Sequence, residues 1–164
     1  MSRLDSVIRR LEAQRLCLAL AAQLVREVPG PVLELGLGNG RTYDHLCELL
    51  PDREIFAFDR VLAAHPACVP DERHLVLGDF ADTLPHSLAR LRGRAALAHA
   101  DMGDGDAARS AARAAQLAPL IDSLMAPGGV VLGDQSMTQP RWRALPLPAG
   151  VAAGRYFIYR VAGG

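Results

Sequence analysis

Lysine is missing from this chain: all 18 basic residues are arginine, matched by 18 Asp and Glu for a formal net charge of zero. That balance argues against a broad electrostatic grip on DNA or RNA, which rests on many cationic contacts to phosphate. With so much alanine, the missing lysine reads as genomic codon bias, although each arginine remains a planar, bidentate partner for carboxylate or phosphate. Cysteine is scarce as well. Cys17, Cys47 and Cys68 form an odd set without metal-ligand spacing, and Cys17 and Cys47 fall in helical patterns where a free thiol behaves as a small hydrophobe. This implies a reducing, cytoplasmic setting without structural disulfides. No apolar run reaches the roughly 20 residues of a membrane span, so no membrane contact is expected. Arg9, Arg10, Glu12, Arg15 and Arg26 interrupt the apolar positions at the N-terminus, unlike a signal peptide. No repeat or low-complexity linker divides the 164 residues, and a single domain over 1–164 is expected.

What is present is an alternation of helical and strand patterns. Residues 3–27 read as an amphipathic helix, with Leu4, Val7, Ile8, Leu11, Leu18, Ala22 and Val25 at helical spacing, stopped by Pro29-Gly30-Pro31. Strands are expected at 32–36, 54–59, 74–79, 95–101 and 130–134, with helices at 41–50, 82–92 and from the N-cap Asp106 to about 125. Ala126-Pro127-Gly128-Gly129 reads as the turn into the fifth strand. Two further strands, 142–147 and 155–161, are joined through Pro148-Ala149-Gly150. The pattern predicts an α/β domain: a mostly parallel sheet of seven strands, helices on both faces, and one antiparallel strand at an edge.

In such sheets ligands sit beyond the carboxyl ends of the strands. Five successive ends carry carboxylates here: Glu34, Asp59, Asp79, Asp101 and Asp134. The first strand runs into Gly36-Leu37-Gly38-Asn39-Gly40. A dinucleotide fingerprint would need its third glycine where Arg41 stands. Glu34 would repel a pyrophosphate yet tolerate a ligand bearing an amine and a sulfonium, and Asp59 can accept both hydroxyls of a ribose.

Val32-Leu33-Glu34-Leu35-Gly36-Leu37-Gly38-Asn39-Gly40 resembles the first motif of class I S-adenosylmethionine-dependent methyltransferases. Ile55–Asp59 resembles the second, Leu77-Gly78-Asp79-Phe80 the third, and Pro127-Gly128-Gly129 is typical of the turn before strand five. The run Leu33–Tyr43 is similar to the start of a group of compact bacterial methyltransferases. The resemblance implies a Rossmann-like class I fold and S-adenosyl-L-methionine as cofactor but supplies no substrate; in-line transfer of the methyl group to an oxygen or nitrogen is expected. It also implies roles. Gly36, Gly38 and Gly40 lie against the methionine part, and Glu34 orients the loop or the ligand amine. Asp59 binds the ribose, with Arg60 flanking the adenine. Asp79 accepts from the adenine amino group, Phe80 offers its amide and ring, and Asp101 faces the methionine amine or the acceptor. The N-terminal helix, residues 1–29, covers the site.

No catalytic base is assigned. His99, Asp101 and Asp134 are the candidates: His99 points to the same strand face as Asp101 and has a suitable ordinary pKa, although a hydrogen-bonded strand histidine is the commoner case. Asp101, Asp134 and Gln135 fall where metal-dependent O-methyltransferases hold a divalent ion such as Mg²⁺, but Gln135 departs from that pattern and no metal is assigned. Tyr43 either covers the ligand or packs on the first helix. Gln14 and Arg15 could reach the cofactor carboxylate, or lie on a solvated helix face. The Pro-Pro-Tyr motif of amino-methylating nucleic-acid enzymes is missing after strand four, which reads His99-Ala100-Asp101-Met102. A small-molecule acceptor is therefore expected, with no nucleic-acid partner. A homodimer through the apolar side of the first helix is a further expectation. The alternatives are a protein that binds S-adenosylmethionine without turnover, and an NAD-dependent oxidoreductase, which Arg41 and Glu34 disfavour.

Overall fold

The computed structural model describes residues 2–163. Helix α1 (Arg3–Leu24) begins where Ser2 can cap it: its hydroxyl accepts from the Asp5 amide at 3.0 Å, and the Asp5 carboxylate accepts from the Ser2 amide at 3.1 Å. The reciprocal pair satisfies donors that a helix start leaves open. The helix ends at Leu24 instead of continuing to 27, and Arg53 provides the reason. Its guanidinium donates to the carbonyls of Val25 (2.9 Å), Arg26 (3.3 Å), Val28 (2.6 Å) and Gly30 (2.8 Å), which face an arginine instead of extending the helical ladder.

The remaining elements are β1 (Val32–Leu35), α2 (Arg41–Leu49), β2 (Ile55–Asp59), β3 (Leu75–Leu77), α3 (Phe80–Leu91), β4 (Ala95–Ala100), α4 (Ala107–Leu124), β5 (Met125–Gly133), β6 (Trp142–Ala144) and β7 (Phe157–Val161). The seven strands form one sheet in the order β3-β2-β1-β4-β5-β7-β6. Strands β1 to β5 are parallel and β7 runs antiparallel to both its neighbours. This is the expected Rossmann-like α/β class, with its antiparallel strand in the edge region. The antiparallel strand lies one place in from the edge, because β6 pairs with its outer side. The turn expected at 148–150 is a longer connection, 145–156, and it brings Tyr156 over the sheet.

Strand parity divides the core. Leu33 and Leu35 of β1 pack with Phe56, Phe58, Ala98 and Val131 beneath α3 and α4, while Val32 packs with Ile55, Leu97, Val130 and Leu132 beneath α1 and α2. Cys17 belongs to the second layer, where burial pushes its thiol up to about 11, and it stays a neutral apolar group near pH 7. All three cysteines are unbridged.

Two boundaries differ from expectation. Helix α3 starts at Phe80, not 82, because Asp79 caps it by accepting from the Ala81 amide at 2.9 Å. Strand β5 starts at Met125, ahead of the expected turn. Met125 pairs with Ala95 and Val130 with Leu97, so residues 126–129 bulge out of a continuous strand. Asp106 caps α4 as expected, accepting from the Arg109 amide at 2.9 Å. No helix of the described residues is long and apolar enough to cross a membrane.

Replacing Arg53 with Met should strand carbonyls at the end of α1 and lower unfolding stability by about 1–3 kcal/mol. Urea denaturation measures this as a shift in midpoint at unchanged slope; an unmoved midpoint would refute the role assigned to Arg53.

Candidate functional site

Strand β1 pairs with β2 on one side and β4 on the other, so the sheet order reverses there and a crevice opens beyond the strand ends. The cleft holds about 370 Å³ between the loop after β1, the ends of β2 and β4, and Arg10, Leu11 and Gln14 of α1. Two glycines fix the loop by close approach. At Gly36, with φ +94°, a Cβ would lie 2.3 Å from the Asp101 carbonyl oxygen; at Gly40, with φ +87°, one would lie 2.5 Å from the Cys68 Cβ. Gly36 therefore presses the loop onto the end of β4. Gly40, outside the cleft lining, seats the loop against the segment after β2. Gly38 has nothing within 4 Å of a Cβ position and its backbone faces the opening.

Asp59 closes the other wall. Its carboxylate accepts from the Gly38 amide at 2.9 Å and from the Arg60 amide at 2.6 Å, which ties the end of β2 to the glycine loop. The Arg60 guanidinium lies 3.5 Å from Asp79. Phe80 lines the cleft, while Asp79 lines an adjoining hollow that shares Arg60, Phe80 and Arg113 with it.

Beneath the loop is a polar network cut off from solvent. Glu34 and His99 are paired residues of β1 and β4, each 0% exposed. Glu34 accepts from His99 Nδ1 at 2.6 Å and from the Thr42 hydroxyl, and His99 Nε2 meets the Tyr156 hydroxyl. Burial disfavours the charged imidazole, but the Glu34 carboxylate outweighs it and lifts the His99 pKa above its ordinary value of 6.5. Burial also holds the Tyr156 phenol undissociated. Glu34 thus orients the loop from below, through Thr42, and neither it nor His99 reaches the cleft. The reading of His99 as a base for the acceptor is corrected accordingly: none of its surface is exposed.

Asp101 alone of the three candidate bases lines the cleft. Its Oδ2 accepts from the Gln14 amide at 2.7 Å, and its Oδ1 has no protein partner among the described residues. Burial, then the neighbouring Asp134, raises its pKa. Asp134 is turned inward, accepting from the Met102 amide at 3.1 Å and the Gln135 amide nitrogen at 3.0 Å. The set Asp101, Asp134 and Gln135 therefore presents no cage of oxygens to a metal. Among the described residues no group of His, Cys, Asp and Glu is arranged to hold one.

The family described as S-adenosyl-L-methionine methyltransferase matches residues 1–161 of this sequence. The chain belongs to that family. It is 43% identical to the S-adenosyl-L-methionine methyl transferase of Silicibacter pomeroyi DSS-3, with 99% of each chain covered and a TM-score of 0.94. At the level of fold it also resembles the 16S rRNA (adenine(1408)-N(1))-methyltransferase of Catenulisporales acidiphilia, solved with the cosubstrate SAM (13% identity, 89% and 92% covered, TM-score 0.51). A third similar fold is the mitomycin 7-O-methyltransferase MmcR (14% identity, 96% and 54% covered, TM-score 0.53). No curated protein matches the chain. The family membership decides against the oxidoreductase alternative and against binding without turnover.

The cleft of this methyltransferase suits its cosubstrate in size and chemistry. It has exposed loop backbone at Gly38, a carboxylate at the end of β2, and the free Asp101 oxygen for a cationic group. Of the two readings of Gln14, the inward one holds: it is 5% exposed and lines the cleft. Sequence reasoning missed other residues of the site: Arg10 and Leu11 line the cleft one turn away on the same side of α1. Tyr43 packs in the core layer beneath α1 and is no cover for a ligand. Tyr156 carried no local signal, since its partner His99 lies 57 residues away on β4, and Thr42 shows its part only once the glycine loop brings it onto Glu34.

A histidine that takes a proton more readily folded than unfolded stabilises the fold below its ordinary pKa and loses that contribution as the pH climbs through the folded value. The methyltransferase should therefore lose stability as the pH rises above 6.5, and His99→Gln should flatten the trend. Urea unfolding of both proteins across that range is the check; parallel pH slopes would refute it.

Proposed function

We propose that this methyltransferase transfers the methyl group to an oxygen or nitrogen of a small-molecule acceptor. The observation that carries the reading is a cleft of about 370 Å³ at the sheet's switch point, roofed by α1, in a chain of zero formal charge. A nucleic-acid partner would draw on a basic face that such a balance does not favour.

In this reading Gly36 and Gly38 carry the methionine part of the cosubstrate on their backbone, while Gly40 and Glu34 hold the loop in shape. Asp59 accepts from the ribose hydroxyls. Arg60 and Phe80 flank the adenine, with Asp79 near its amino group. Asp101, steadied by Gln14 at 2.7 Å, turns its free oxygen to the cosubstrate ammonium. When bound, the cosubstrate supplies an electrophilic methyl on a sulfonium. The protein contributes alignment, holding donor and acceptor in line inside a partly closed site. Of the three candidate bases, Asp101 alone lines the cleft.

The same reading includes a reducing, cytoplasmic setting, supported by three unbridged cysteines. It includes pairing of two copies through the first turns of α1, where Leu4 is 67% exposed and Val7 and Ile8 are each 45% exposed.

Asp59→Ala should weaken S-adenosylhomocysteine binding by about 1.5–3 kcal/mol, or at least about tenfold, the size of a charge-assisted hydrogen bond. Calorimetric titration of the two proteins tests the site. A screen of hydroxyl- and amine-bearing small molecules with methyl-labelled cosubstrate, beside total RNA, tests the acceptor class. Label entering RNA alone would rule out a small-molecule acceptor.

A further inference from the structure

Each carboxylate lining the cleft has a donor inside the protein, whereas three of the four guanidiniums lining it have no hydrogen bond or ion pair among the described residues, Arg10 acting on Asp101 only through its charge. Asp59 accepts from the Gly38 and Arg60 amides and Asp101 from Gln14. Asp104 accepts from the Arg109 guanidinium at 2.5 Å, the Ser110 hydroxyl at 3.1 Å and the Asp106 amide at 3.1 Å. Of Arg10, Arg41, Arg60 and Arg113, only Arg60 meets a carboxylate, Asp79. The guanidiniums of the other three have no hydrogen bond or ion pair among the described residues. They come from three separate elements: Arg10 from α1, Arg41 from the first position of α2, and the half-buried Arg113 from α4.

The cosubstrate adds charges of its own. It carries a carboxylate, an ammonium and a sulfonium, a net charge of plus one. Its carboxylate needs one guanidinium, and we assign it Arg41, the arginine directly after the glycine loop. Its ammonium takes the free oxygen of Asp101. Arg10 and Arg113 are left over, on the two helices that border residues 101–106, and they face a cleft that the bound sulfonium has made more positive.

We propose that the methyl acceptor is a small anion whose carboxylate or phosphate group is held by Arg10 and Arg113 beside the loop between β4 and α4. This rests on the small-molecule reading above and narrows it. The planar guanidinium fork pairs with two oxygens of such a group at once, which fixes orientation as well as charge. The same electrostatics favours turnover. The acceptor's lone pair forms the bond to the methyl carbon, the carbon–sulfur pair stays on sulfur, and the acceptor's proton leaves to water. The sulfonium charge is thereby lost, and the methylated anion faces a less positive cleft than the acceptor did.

The test is calorimetric titration of the S-adenosylhomocysteine-loaded protein with citrate and with pyrophosphate, using glucose as the neutral control. At least one anion should bind saturably while glucose does not. The double variant Arg10→Gln, Arg113→Gln should weaken that binding by at least about tenfold, the scale of one charge-assisted hydrogen bond. The corresponding double lysine variant, which keeps the charge, should recover part of it and serves as the folded control. No saturable anion binding to the unaltered protein, or equal binding in the glutamine variant, overturns the proposal. So does a glutamine variant that loses S-adenosylhomocysteine to the same extent, since the two arginines would then serve the cosubstrate. A neutral molecule methylated in the acceptor screen removes this narrowing and leaves the small-molecule reading standing. A short single-stranded RNA that binds where neither small anion does overturns both.

Discussion

A carboxylate and an imidazole share the interior of the sheet at the place where its strand order reverses. Register puts Glu34 of β1 beside His99 of β4, and neither has any contact with water. An ionised carboxylate alone at that depth would be heavily penalised, and it is tolerated because His99, 2.6 Å away, and the Thr42 hydroxyl both bond to it. Glu34 lies just before the glycine loop and Thr42 just after it, so one buried group grips both ends of the segment that faces the cleft. Tyr156 completes the network from the connection between β6 and β7, tying the C-terminal part of the chain to the first motif. Removing one member would leave its partner's charge or polar atom buried without compensation, which is costlier than never having built the network.

The loop so held is pressed onto β4 at Gly36 and onto the segment after β2 at Gly40, positions where backbone or side-chain atoms leave no room for a Cβ. Its middle stays open to the cleft. Charges in the cleft divide by element: its carboxylates lie at or just after the ends of β2 and β4 and are tied to internal donors, whereas three of its four arginines sit on helices and Arg60 directly follows Asp59. Asp101 is tied through one oxygen only. It is part-buried on the floor, bonded to α1 through Gln14, and has one oxygen left for a ligand. Helix α1 accordingly does more than cover the sheet, since it supplies a hydrogen bond to the floor and a guanidinium to the wall.

Much of this was legible in the sequence. The order of strands and helices, the glycine spacing, the acid at or near the end of each of the first five strands and the cap at Asp106 are local properties, readable from residue spacing and turn chemistry. Boundaries went wrong where a distant group intervened. Arg53 stops α1 at Leu24 by bonding the carbonyls beyond it, and pairing with Ala95 draws Met125 into β5 ahead of the expected turn.

The sequence alone determined the fold class, the cofactor family and which strand ends carry carboxylates, because each follows from short-range pattern. Only the tertiary structure decided how those carboxylates divide: Glu34 and Asp134 turned inward, Asp59 and Asp101 toward the cleft. It likewise made His99 part of a sealed network instead of an exposed base. That division depends on which side chains from α1, α2 and the last connection arrive opposite each acid. Gln14 and Tyr156 stand at sequence separations of 87 and 57 from their partners, and no local spacing rule relates groups that meet only when the sheet is assembled.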